Sequence, residues 1–367
     1  MIARTSHLAG GHPRWIGDRP RKPEGSARSE KGCSISGPPK SLGKKSLMKI
    51  LAVDDDHMML EVLRTTMAFA GLNDVTTADS AWAAAQIVAD AKPPFDCIFI
   101  DFNMPEIKGD YLCSWIRHLP AYAATPIIMV TALTDRPAIE AAFASGASDY
   151  ITKPIDPSDL LSRLKLLRSQ ISGGHGIAAN EKQAEAASGR GQLLAKTNFA
   201  TPFKIGEIKR EIDLTALENY LVRISKKNIQ GMSVFSFVIG DAAKMHLIFS
   251  QEEYVSVLAA TGSAIANFYA APHFFISYAG YGAFVGVIEG LVPTIAEKET
   301  LERTVRKSLK SSILTSTGGS PARVRLFMAV SANLSTWSGT KIVDALYKTI
   351  GDAEEMAQLS KVAATAR

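Results

Sequence analysis

The sequence predicts an α/β fold for its first half, a doubly wound five-stranded parallel sheet, followed by a second, α+β domain. Three observations carry this. Five short apolar or β-branched runs, near 49–53, 74–78, 96–100, 126–131 and 148–152, alternate with helical patterns near 57–70, 80–91, 107–118, 136–144 and 157–170. Glycine and proline punctuate the boundaries: Gly71 and Gly146 stand where helices end, and Pro93-Pro94, Pro120 and Pro126 stand in loops. Four of the runs close on a reactive side chain, as expected where parallel sheets gather their sites at the carboxyl ends of strands. In the first helix, Val62, Leu63 and Met67, with Ala70, mark the face expected to be buried.

The groups at those four strand ends define a chemistry. Asp54, Asp55 and Asp56 follow Ile50-Leu51-Ala52-Val53, Asp101 follows Cys97-Ile98-Phe99-Ile100, Thr131 follows Ile127-Ile128-Met129-Val130, and Lys153 follows Tyr150-Ile151. Converging on one edge, they place acids, a hydroxyl and an ammonium in a single pocket. Carboxylates packed together repel unless a cation joins them, and oxygen-only ligands point to Mg²⁺. A metal-bound carboxylate beside a lysine and a threonine is arranged to receive a phosphoryl group, because cations neutralise the incoming charge and the hydroxyl donates to a phosphoryl oxygen. For Asp54 or Asp56 taken singly, capping of the following helix is an equally good reading.

The strings ILAVDDD, DFNMPEIKG, MVTA and DYITKP occur in this order and spacing. Over residues 48–170 the chain thereby resembles the CheY-like receiver domains of two-component response regulators, of flavodoxin-like fold. The resemblance implies that Asp101 is the phospho-acceptor. It implies that Asp55, with Asp54 beside it, holds Mg²⁺ together with Asp101 and the backbone carbonyl of Asn103. Thr131 becomes the switch hydroxyl, Lys153 the phosphate partner, and Tyr150 the aromatic that changes rotamer with Thr131. A cis Lys153–Pro154 peptide is also implied, and X–Pro is the one place where cis is inexpensive.

The 367 residues suffice for two domains with full cores. Charge is unevenly spread. Residues 1–47 hold ten basic and three acidic residues, a balance of +7, which leaves −2 for the rest of a chain whose total is +5. This segment is rich in Gly, Pro, Ser, Arg and Lys without apolar periodicity, and is expected to be a disordered tail: either translation starts at Met48, or the segment is a basic arm. Cys33, Cys97 and Cys113 form no ligand spacing, and an odd count without a signal peptide suits a reducing cytoplasm. Tyr254 to Ile288 lacks Asp, Glu, Lys and Arg, but Asn267, Pro272 and His273 interrupt it and it is not expected to cross a membrane.

Residues 171–200, with Gly173-Gly174, Gly176, Gly189 and Gly191, read as a linker. Over 201–360 a helix is expected from Glu211 to Lys227, a strand from Met232 to Ile239, and a helix from Gln251 to Ala271. A hairpin at Gly280-Tyr281-Gly282 should join His273–Tyr278 to Phe284–Ile288. A helix over Thr294–Leu309, a strand over Val324–Val330 and a helix over Thr340–Gln358 complete the set. A mixed sheet with helices on one face is the economical arrangement.

The strings DLTALENY, FSFVIGDAAK, SYAGYGAFVGVI and DALY resemble, in order and spacing, the GGDEF domains of diguanylate cyclases. Those enzymes need two Mg²⁺ ions. Here the five signature positions are Gly280, Tyr281, Gly282, Ala283 and Phe284, and the first metal-binding Asp falls on Ile239. Asp241 and Lys244 remain near family positions, but one carboxylate cannot hold two hard cations. Ala271-Pro272-His273-Phe274 stands where the product-inhibition motif belongs. A cap after the strand is the expected role of Asp241. His246 and His273 lack partners at ligand spacing, and Tyr269, Tyr278 and Tyr281 are expected to pack in the core and hairpin.

The expected protein is thus a cytoplasmic response regulator. Its Mg²⁺-dependent phosphorylation at Asp101, by a cognate histidine kinase or phosphotransfer protein, switches homodimerisation or protein binding through a catalytically inactive second domain. A phosphorylation-gated nucleotide cyclase is the alternative. DNA binding is not expected, since no basic recognition helix follows the linker.

Overall fold

The computed structural model describes residues 48–132, 136–172, 198–224, 228–269, 271, 273–290, 294–311, 324–331, 334 and 339–365. The expected disordered tail, with Cys33, and linker residues 173–197 lie outside them.

In the first domain β1 (Ile50–Val53), β2 (Val75–Ala78), β3 (Cys97–Asp101), β4 (Ile127–Thr131) and β5 (Asp149–Thr152) form one sheet in the order β2-β1-β3-β4-β5. Every pairing is parallel. Helices α1 (His57–Phe69), α2 (Ala81–Asp90), α3 (Gly109–Arg117), α4 (Arg136–Ala144) and α5 (Pro157–Ser172) cover it. The strands read as unbroken apolar runs because both faces are buried. Leu51, Val53, Ile98, Ile100, Ile127 and Met129 face Ala84, Cys113 and Phe143. The intervening Ile50, Ala52, Cys97, Phe99, Ile128 and Val130 face Leu63, Met67, Leu160 and Leu164. Val62 is a correction: it points to solvent, and Leu60, three residues before Leu63, takes the buried place on the helical repeat. Gly71 and Gly146 end helices with positive φ, and the Lys153–Pro154 peptide is cis, as expected. Cys97 is buried among apolar neighbours.

In the second domain β6 (Met232–Ile239), β7 (Phe274–Gly280), β8 (Ala283–Glu289) and β9 (Leu326–Ser331) form a sheet in the order β7-β8-β6-β9, with α6 (Leu214–Arg223), α7 (Ala242–Ile248), α8 (Gln251–Phe268), α9 (Ile295–Ser311) and α10 (Thr340–Thr365). The pairings are all antiparallel, not mixed, and helices lie on both faces, not one. The cause is visible in β6, whose eight residues are all buried. Phe235, Phe237 and Ile239 pack with Leu258 and Ile265 of α8 and with Leu301 and Val305 of α9. On the other face Val238 meets Ala353 of α10, and the Ser236 hydroxyl donates to the Thr349 carbonyl at 2.6 Å.

The helix expected from Glu211 begins only at Leu214, with Asp213 at its N-cap. Glu211 is instead a buried loop anchor, its carboxylate accepting the amides of Ile205 and Gly206 at 2.7 Å each. Folded structure also begins before residue 201: the Phe199 ring lies 5.4 Å from that of Tyr281, and the Phe199 carbonyl accepts the Tyr281 amide at 2.8 Å. Among the described residues no helix is long and apolar enough to cross a membrane.

Candidate functional site

The strand order reverses direction between β1 and β3, and the carboxyl ends of these strands flank the crevice where open α/β sheets bind ligands. Asp54 leaves β1 wholly buried, and Asp101 ends β3 nearly so. The Lys153 ammonium reaches both, 2.8 Å from Asp54 Oδ2 and 2.6 Å from Asp101 Oδ1. The other Asp101 oxygen accepts the Asn103 amide at 2.9 Å. Burial, working against the Asp54 charge, holds its carboxyl above the usual 3.8 despite the Lys153 bond. Burial also disfavours the Lys153 ammonium, but its bonds to Asp101 and Asp54 outweigh this and keep it protonated. Asp54, Asp55 and Asp101 bring carboxylate oxygens within 4.8 Å of one another, with Asp55 exposed. Three oxygen donors at one point suit a hard cation.

The expected residues therefore converge. Thr131 ends β4, nearly buried, and its carbonyl accepts the Lys153 amide at 2.7 Å, so backbone pairing ties the ammonium to the hydroxyl strand. Asp56 plays the structural role: its side chain caps α1 by accepting the Met58 amide at 2.8 Å. Asp54 does not cap; one oxygen accepts the Asp56 amide and the other meets Lys153. Gly109 is a site residue that pattern reasoning passed over. A Cβ there would lie 2.0 Å from the Asp101 carbonyl oxygen, so only glycine lets the loop after β3 fold back against Asp101.

A model of the response regulator receiver domain matches residues 50–165. Chemotaxis protein CheY1 of Helicobacter pylori is 32% identical over 123 residues, which are 33% of this chain and 96% of that protein. The chain belongs to the response regulator receiver family. The transcriptional regulatory protein GltR of Pseudomonas aeruginosa is 34% identical over 146 residues, 38% of this chain and 59% of GltR. DNA-binding response regulator MtrA of Mycobacterium tuberculosis is 33% identical over 181 residues, 49% of this chain and 71% of MtrA. The chain spans only 17% of protein RcaC of Microchaete diplosiphon. The solved structure of Vibrio cholerae chemotaxis response regulator CheY4 is 32% identical, covering 33% of this chain and 99% of that one, with a TM-score of 0.31.

The α4–β5 face of the receiver is covered by the second domain. The Tyr150 ring is buried, edge-on to Phe143 at 6.0 Å; Phe143 meets Tyr220 of α6 at 5.7 Å, and Tyr220 meets Phe275 of β7 at 5.2 Å. Polar contacts frame this aromatic row. Arg223 of α6 grips Asp149 from two nitrogens, Nε at 2.6 Å and NH2 at 2.9 Å, and Arg163 binds the same carboxylate. The Asn219 amide donates to the Ser148 carbonyl at 2.8 Å. The buried Glu140 carboxylate collects Arg136 at 2.8 Å, the Tyr220 hydroxyl at 3.1 Å and His273 Nδ1 at 2.8 Å. Arg136 and His273 also approach Glu289, at 3.2 and 3.4 Å. Burial raises the Tyr150 and Tyr220 hydroxyl pKa values, and the Glu140 carboxylate adds to the rise at Tyr220, so both stay protonated donors. Tyr150 and His273 apart, no sequence signal marked these residues, since a surface arginine or glutamate of a helix reads like any other.

At the second domain's signature positions the groups are apolar or already paired. Ile239 and Ala283 are buried in the core. Asp241 makes no cap bond to α7, correcting that expectation. Its carboxylate lies 2.9 Å from Arg325, which draws it away from the helix amides. Tyr281 and Gly282 form the turn between β7 and β8, both at positive φ, and the Gly282 amide donates to the Tyr278 hydroxyl at 3.1 Å. Tyr269 and Tyr278 are buried in the core, while Tyr281 is half exposed. His246 lies 5.1 Å from the Phe199 and Tyr254 rings.

Proposed function

We propose that this protein is a two-component response regulator in which Asp101 accepts a phosphoryl group from a histidine kinase or phosphotransfer protein. The observation that carries this reading is the Lys153 ammonium held between Asp101 and Asp54. Asp101 Oδ attacks phosphorus, and the donor leaves with the bonding electron pair. Lys153 stays beside the new phosphoryl charge, and the Thr131 hydroxyl donates to one of its oxygens. Asp54, Asp55, Asp101 and the Asn103 carbonyl are the groups that would hold Mg²⁺, whose charge would offset that of the phosphoryl oxygens. Tyr150 is the aromatic that answers Thr131.

The second domain is read as a degenerate GGDEF-like output module without cyclase activity, acting through dimerisation or protein binding in the cytoplasm. Its support is the sheet order β7-β8-β6-β9 with the hairpin between β7 and β8, together with apolar Ile239 and Ala283 and the Arg325-paired Asp241. GltR and MtrA are named as transcriptional or DNA-binding proteins, but an antiparallel sheet packed on both faces favours a different output for this chain.

Acetyl phosphate with Mg²⁺ should add one phosphoryl group to the wild type and none to Asp101→Asn, read by intact mass. Labelling of Asp101→Asn would move the acceptor elsewhere. Incubation with GTP and Mg²⁺ should yield no dinucleotide; product formed by wild type and lost in Asp241→Ala would establish the cyclase reading instead.

A further inference from the structure

We propose that docking of the second domain onto the receiver is proton-linked, with His273 as the clasp: the charged imidazolium holds the two domains together, and the neutral ring loosens them. The inference does not depend on Asp101 being the acceptor.

It starts from what surrounds the ring. His273 stands just before β7, and its side chain bridges the two domains. Nδ1 lies 2.9 and 2.8 Å from the two carboxylate oxygens of Glu140, on α4 of the receiver. Nε2 lies 3.4 Å from Glu289 Oε2, at the end of β8 in the second domain. One guanidinium, that of Arg136, serves both carboxylates, at 2.8 Å from Glu140 and 3.2 Å from Glu289. The Tyr220 hydroxyl of α6 donates to Glu140 at 3.1 Å and brings no charge. Among the described residues these are the charged and titratable groups that face the ring from α4, α6 and β8.

A neutral imidazole carries one N–H and one lone pair. Both ring nitrogens face carboxylate oxygens here, so a neutral ring aims its lone pair at a negative oxygen in either tautomer. Only the doubly protonated ring can donate on both sides. The charge count points the same way. Two carboxylates and one guanidinium leave a single negative charge at this spot, which an imidazolium cancels. Burial works against the cation, but 28% of the side chain stays exposed, so much of its hydration is kept.

Undocking takes Glu140 and Arg136 away and leaves the ring with Glu289, on its own domain. Glu140 bonds the ring directly while Arg136 is directed at the carboxylates, so loss of the carboxylate dominates. The docked state therefore binds the proton more tightly, and by linkage the proton strengthens docking by the same factor. This contribution is present on the acid side of the imidazole range and is lost as pH rises through it. The Arg223–Asp149 pair spans the same interface with a guanidinium that does not titrate, and it supplies a hold that is independent of pH in this range.

The test follows amide protection factors of α4 and α6 in the full chain between about pH 6 and pH 8.5, where an imidazole changes charge and carboxylates stay ionised. In the wild type, protection in both helices should fall by roughly fivefold or more across the series. His273→Gln should make the profile flat, and Glu140→Gln should reduce the fall. The C2-proton resonance of His273, recognised by its loss in His273→Gln, should titrate at higher pH in the wild type than in Glu140→Gln. Flat protection in the wild type, or an undiminished fall in His273→Gln, overturns the proposal. So does a ring that titrates at the same pH in the wild type and in Glu140→Gln, a comparison between Glu140 variants that serves even where His273→Gln disturbs the fold.

Discussion

The Lys153 ammonium stands 2.6 Å from one oxygen of Asp101, whose other oxygen accepts a backbone amide. The Asp101 carboxylate is thus held in one orientation from two sides, and the same ammonium neutralises Asp54, the wholly buried acid beside it. Without Lys153, two buried carboxylates would face each other with no protein cation between them.

Lys153→Ala should therefore destabilise the metal-free protein by about 3 kcal/mol, the scale for removing one partner of a buried ion pair. Added Mg²⁺ should recover part of the loss, because an ion that binds only the folded state stabilises it by mass action. Urea melts with and without Mg²⁺ check this; equal losses in both would argue against a shared cation site. Acetyl phosphate labelling should persist in this variant, while the change in α4 hydrogen exchange induced by the phosphoryl mimic beryllofluoride should shrink.

Gly109→Ala should leave the fold intact and slow phosphorylation by roughly 100-fold, since displacing a reactive group by an ångström costs on that order. The added methyl group would press on the Asp101 carbonyl, so the acceptor loop has to shift. Labelling rates with acetyl phosphate, beside an unchanged circular dichroism spectrum, decide the matter.

Glu140→Ala should cost about 3 kcal/mol, because it strands the Arg136 guanidinium, the Tyr220 hydroxyl and His273 in a buried interface. Glu140→Gln, which keeps an acceptor oxygen, should cost less. Hydrogen exchange should place the loss in both α4 and α6; a loss confined to α4 would mean the interface contributes little.

The pH dependence of stability should carry a segment due to Glu211. Burial holds its carboxyl above the ordinary 4.5, against the pull of the two amides it accepts. The folded chain therefore binds this proton more tightly than the unfolded chain. The contribution to stability is greatest below 4.5, declines as pH rises between 4.5 and the raised value, and is flat above it. Glu211→Gln should flatten that interval in urea midpoints measured across pH, and an unchanged slope would place the titration elsewhere.

How much could be read from the chain alone differed between the domains. All five receiver strands and helices were legible, because a parallel sheet buried on both faces needs unbroken apolar runs, and its helices carry capping and glycine signals at their ends. The sheet of the second domain was misread as mixed and one-faced. Strand direction and coverage depend on which elements meet across long sequence separations, as with Ser236 and Thr349. Val62 and Glu211 failed for a related reason: an apolar residue can face water, and an acidic residue can be buried when two amides await it.

By itself the sequence determined which residues gather at the candidate site, since Asp54, Asp101, Thr131 and Lys153 each close a strand, and parallel strands deliver their ends to one edge. Only the tertiary structure decided that Gly109 packs against the Asp101 backbone and that Arg223, Asn219 and Tyr220 close over the face that carries Tyr150. Those contacts join residues 71 to 80 positions apart across two domains. No local periodicity encodes such a meeting; it exists only once two packed surfaces find each other.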